Sequence, residues 1–163
     1  NSGDNFSFEA FESFNDGAGP DAQWTNGNFT FNAATLVNIG DYSPGAFDIN
    51  TFTSNYDTEL GLYASDGTLL ASNDDASGLQ SQILTNLGNG TYYIVLGGFN
   101  TTYATGIAIG GNAAGDYVLN VNGTTVASGT STAGQLNVYC FRVPEPTSAL
   151  LLSLGALALL RRR

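Results

Sequence analysis

The chain has 163 residues, enough for one domain with appendages, and a formal charge of −10. Its four cations are Arg142, Arg161, Arg162 and Arg163, so residues 1–141 contain no Lys, Arg or His and hold 13 of the 14 carboxylates. That composition excludes His-based nucleophilic catalysis, Walker and Schiff-base lysines and His- or Cys-type zinc sites, and it lacks the cations that a nucleic-acid backbone needs.

In chain order, short alternating runs dominate and no helical period is evident before Thr147. "NFSFEAF" puts Phe6, Phe8 and Ala10 on one face. "GAFDIN" turns Phe47 and Ile49 inward and Asp48 and Asn50 outward. "TELGLY" aligns Leu60 with Leu62. "TYYIVLGGF" is apolar on both faces, as a central strand is. "DYVLNVNG" sets Tyr117, Leu119 and Val121 against Val118, Asn120 and Asn122. Between the runs lie Asp16-Gly17, Asn26-Gly27, Asp66-Gly67, Asn89-Gly90 and Asn122-Gly123, dipeptides that accept the positive φ of tight hairpin turns. Many short strands with regular turns predict an all-β fold, a single antiparallel, jelly-roll-like β-sandwich over residues 1–142. The single Cys140 excludes an internal disulfide and is expected to be a small buried residue on the last strand, an intermolecular disulfide being the alternative. There is no Met, and Asn1 onward has no basic or apolar leader, so an export signal is expected to have preceded Asn1.

The stretch from Asn55 to Thr101 runs from an Asp leading a strand through a "DG" hairpin and a short acidic loop to a "GTYY" strand. With "GDYVL" at Gly115 to Leu119 it resembles the pre-peptidase C-terminal (PPC) type of β-sandwich, over roughly residues 47–121. The resemblance implies a non-catalytic accessory module of a secreted bacterial protein, in a family where some members bind calcium or matrix polymers.

The chain ends in "VPEPTSALLLSLGALALLRRR", residues 143–163. The apolar run Thr147 to Leu160 would form a helix of about 21 Å, short of a hydrocarbon core of about 30 Å. Arg161, Arg162 and Arg163 would hold the C-terminus on the cytoplasmic side. Pro144 and Pro146 keep the preceding segment extended. Pro144-Glu145-Pro146, a short hydrophobic span and a basic end, in that order, resemble the PEP-CTERM sorting signal of Gram-negative bacteria. The resemblance implies recognition by exosortase, a membrane-embedded cysteine protease, transient residence in the inner membrane through the helix, and delivery of the body to the cell surface or exopolysaccharide matrix. An uncut membrane anchor is the alternative.

Asp57, Glu59, Asp66, Asn73, Asp74 and Asp75 are the candidate metal ligands, with Asp57, Glu59, Asp74 and Asp75 foremost. Calcium takes several hard oxygen ligands, and a body without cations has nothing else to offset its repulsion. Asp57 and Glu59 share a face if both lie on a strand. "SNDDASG" is the candidate ligand loop, although it lacks EF-hand spacing; ordinary turn chemistry is the competing reading. No cofactor is required, calcium being the one candidate. Three functions remain open: a non-enzymatic surface or matrix protein that meets acidic exopolysaccharide through calcium, a carbohydrate-binding module with Trp24 and the tyrosines as a sugar groove, and a carboxylate-only glycosidase. Asn-x-Ser/Thr triplets at Asn5, Asn28, Asn89, Asn100 and Asn122 are no more than this composition produces.

Overall fold

The Phe47/Ile49 and Tyr117/Leu119/Val121 alternations need a second apolar layer to pack on, and the chain supplies it from the segments that are apolar on both faces. A computed structural model describes residues 37–145 in full and the backbone of residues 22–25 and 28–30. It is all-β, and among the described residues there is no helix. The strands are β1 (Ala22–Thr25), β2 (Asn28–Thr30), β3 (Val37–Asp41), β4 (Gly45–Asn50), β5 (Thr58–Ala64), β6 (Leu69–Asn73), β7 (Gln82–Leu87), β8 (Gly90–Gly98), β9 (Thr102–Ala104), β10 (Ile107–Ile109), β11 (Gly115–Val121), β12 (Thr124–Ser131) and β13 (Asn137–Val143). They form three open sheets, ordered β2-β1-β10-β9, β12-β11-β4-β7 and β3-β13-β8-β5-β6.

The second and third sheets share one core. Phe47, Ile49, Ile83, Leu87, Tyr117, Leu119 and Val121 meet Leu60, Leu62, Ile94, Leu96, Tyr139, Phe141 and Val143, all buried. Each such side chain contributes on the order of 1.5–3 kcal/mol, which offsets the like-charge repulsion of the acidic surface. The Tyr139 and Tyr117 hydroxyls satisfy each other across this core at 2.7 Å. The Asn122-Gly123 turn joins β11 to β12 with φ of 51° and 76°, the left-handed pair that a two-residue hairpin requires.

Three features differ from the sequence expectation. A second apolar cluster lies on the other side of the five-stranded sheet, where Tyr63, Tyr93, Val95 and Val138 pack with Ala108 of β10, Leu136 and the partly buried Tyr103 of β9. This is why β5 and β8 are buried on both faces. A Cβ on Gly61 would lie 2.5 Å from the Tyr103 ring, so glycine at that position lets Tyr103 lie flat on β5. The pairing is not wholly antiparallel: β3 runs parallel to β13, with Val37 opposite Tyr139 and Asp41 opposite Arg142, because the chain then crosses to the opposing sheet as β4. Cys140 is only partly buried, on the flank of the second cluster, and burial raises its thiol pKa.

β13 ends where Pro144 removes the backbone N–H that a longer ladder needs. Its last residue, Val143, pairs with Gly90 and is buried, so it packs with the body, while Pro144 and Glu145 are exposed. The strand expected around Phe6, the turn at Asp16-Gly17, Pro146, the 147–160 helix and Arg161 to Arg163 lie outside the described residues, as does the Trp24 side chain.

Candidate metal centre

The Asp66-Gly67 turn folds β6 back on β5 with Leu60 opposite Asn73. That register carries the end of β6 to the start of β5 and so brings Asp74 and Asp75 to Asp57. One carboxylate oxygen from each of Asp57, Asp74 and Asp75 lies within 4.8 Å of the others. Two oxygens on one calcium at about 2.3–2.6 Å are at most roughly 5 Å apart, so this separation fits a shared ion.

The backbone around the cluster is tied down by neutral groups. The buried Ser81 hydroxyl lies against the carbonyls of both Asp74 and Thr58. Ser81 N–H donates to Thr51 Oγ1, which is 2.6 Å from Thr58 Oγ1. Phe99 N–H donates to the Asp57 carbonyl at 3.1 Å, and Thr58 N–H to the Leu79 carbonyl at 3.0 Å. Asn73 Oδ1 accepts from Gln82 N–H, fastening the acidic loop to β7.

Asp57 lies just before β5 rather than on it. Its Oδ1 is buried and has no hydrogen-bond partner. Burial, then the charges of Asp74 and Asp75, raise its pKa; burial and Asp75 raise that of Asp74. Glu59 is 7% exposed. Its Oε1 accepts from Asn100 N–H at 2.7 Å, in a turn where Asn100 holds a φ of 68°. Burial, with smaller contributions from Asp74 and Asp57, pushes its pKa up to about 7. Without a counter-charge, these carboxylates are therefore pushed toward the protonated form. A bound divalent cation reverses that bias.

The remaining candidates stand apart. Asp66 caps its own turn by accepting from Thr68 N–H, which lowers its pKa. Asn73 is spent on β7. Sequence reasoning missed Ser81, Thr51 and Thr58, which position the loop; a Ser or Thr in a Ser/Thr-rich chain gives no signal of such a role. No protein-family model matches the chain, and neither curated proteins nor solved structures give a match.

Proposed function

We propose that this is an exported, non-enzymatic surface or matrix protein, a jelly-roll-like β-sandwich of PPC type that holds calcium at Asp57, Asp74 and Asp75. The observation that carries the metal reading is the convergence of three carboxylates, one with a buried, unpartnered oxygen, in a body with no Lys, Arg or His before Arg142. Through the ion such a body meets acidic exopolysaccharide, which its own charge otherwise repels. Glu59 stands behind the three as a buried neighbour rather than a direct ligand.

Thermal melts in EDTA and in millimolar calcium test the metal reading. At a calcium concentration of about 100 Kd the gain is roughly 2.7 kcal/mol. For a chain of this size each kcal/mol raises the midpoint by roughly 2–4 °C. Asp57→Asn and Asp74→Asn relieve repulsion and so fold in EDTA, but they lose the calcium response. Superimposable parent melts in the two buffers would leave the acidic loop as turn chemistry.

The tail sequence supports a second part of the reading: exosortase processes the chain near Pro144, Glu145 and Pro146 after the apolar segment 147–160 and Arg161 to Arg163 have held it in the inner membrane. In a host with exosortase, Pro144→Ala/Glu145→Ala/Pro146→Ala is expected to leave the uncut chain in the membrane fraction. Equal release of parent and variant would point to a different signal.

A further inference from the structure

The outward face of the β12-β11-β4-β7 sheet carries a continuous row of side-chain hydrogen bonds. Gln82, Asn50, Asn120 and Thr125 stand opposite one another across its four strands. Thr125 Oγ1 donates to Asn120 Oδ1 at 2.7 Å, and Asn120 Nδ2 donates to Asn50 Oδ1 at 3.1 Å. Asn50 Nδ2 and Gln82 Nε2 both donate to Asp48 Oδ1, at 2.9 and 3.0 Å. Four strands about 4.8 Å apart make the row roughly 14 Å long, the reach of a short oligosaccharide. Asn50 was expected to point outward and does, yet it is only 6% exposed; besides its partners in the row, its Oδ1 accepts from Phe52 N–H in the turn after β4. Beside the row, directly opposite Asp48, Leu84 is 69% exposed.

We propose that this face binds a neutral, hydroxyl-rich polysaccharide strand laid along the amide row, with Leu84 under the C–H face of a sugar ring. Charge selects that partner. The four strands of this face offer no cation to an anionic polymer, and the one carboxylate in the row has an oxygen already shared by two amide donors. A protein interface of ordinary strength needs a buried cluster of aromatic or aliphatic anchors, and this row has one exposed leucine beside amides. Sugar hydroxyls both donate and accept, as the amides and Thr125 do. The mutual hydrogen bonds hold the side chains in place beforehand, so little rotamer freedom is lost on binding. This inference goes beyond the metal reading and does not depend on it.

The 163-residue chain, kept in solution with a zwitterionic detergent that carries no sugar headgroup, is run in EDTA through native gels containing dextran or galactomannan and is pulled down on amorphous cellulose. Retention by at least one of the three polymers is expected. Leu84→Asp and the double variant Gln82→Ala/Thr125→Ala are expected to weaken it by roughly tenfold or more, the equivalent of losing about 1.4 kcal/mol. Asp57→Asn is expected to leave it unchanged, which separates this face from the metal centre. Leu84 is exposed enough for its variant to fold, and the variant's melt verifies this. No retention by any of the polymers, or retention indifferent to both variants, would overturn the proposal. So would a concentration-dependent dimer abolished by Leu84→Asp, which would make a second copy the occupant.

Discussion

In EDTA, the folded chain is expected to lose about 3 kcal/mol of stability as the pH rises from 4.5 to 7, and Glu59→Gln is expected to remove most of that loss. Folded Glu59 holds its proton up to about pH 7, against an ordinary value of 4.5, chiefly because burial disfavours its charge. Below 4.5 both folded and unfolded chains carry the proton, so the group contributes no slope. Between the two values the folded state binds more protons than the unfolded one, and stability falls with rising pH. Above about 7 the full cost of a buried, uncompensated carboxylate is present. Glutamine keeps an oxygen for Asn100 N–H and abolishes the charge. Urea unfolding at several pH values, parent against variant, reads the effect directly. A variant that retains the parent's slope would assign the pH dependence to other carboxylates.

Phe141→Ala is expected to cost about 4 kcal/mol. The side chain is fully buried where β13 crosses the shared core. Its ring lies 5.4 Å from that of Tyr42, 5.4 Å from Phe47 and 5.5 Å from Tyr92. Alanine leaves a cavity among three aromatic neighbours, Phe47 on β4, Tyr92 on β8 and Tyr42 just after β3 with its N–H bonded to the Arg142 carbonyl, so collapse is limited. Against a total of roughly 5–15 kcal/mol this is a large fraction. Leu84→Ala, on the exposed face, is expected to stay within about 0.5 kcal/mol. Equal midpoints for the two variants in urea would mean that Phe141 is not at the centre of the core.

Strand alternation was legible wherever one face meets the core and the other meets solvent. Tyr117, Leu119 and Val121 point inward as their period of two requires, and Asn122-Gly123 turns where its backbone chemistry allows. The "TYYIVLGGF" run shows that β8 is covered on both sides, but nothing in it says what covers the second side. Tyr103 and Ala108 do so from a hairpin whose short strands carry little pattern of their own. The parallel β3 was hidden for a related reason: strand direction is set by the path of the chain between sheets, and "VNIGD" reads the same either way. At the candidate metal centre, the acidic residues were legible as a group, but the pairing expected from spacing was Asp57 with Glu59, whereas the β5–β6 register brings Asp57 to Asp74 and Asp75. The burial of Glu59 was not readable, because it depends on the Asn100–Thr101 turn arriving from another part of the chain.

The parallel pairing of β3 with β13 also determines how the protein bears mechanical load. A pull between Val37 and Val143 acts on opposite ends of two strands that run side by side in the same direction. The hydrogen bonds between them are then loaded together in shear, instead of being opened one after another as in a hairpin pulled apart at its ends. β13 is clamped on its other edge by seven residue pairs with β8. Forced unfolding is governed by the unfolding rate rather than by equilibrium stability. Force applied between Val37 and Val143 therefore meets this strand pair in its shear geometry.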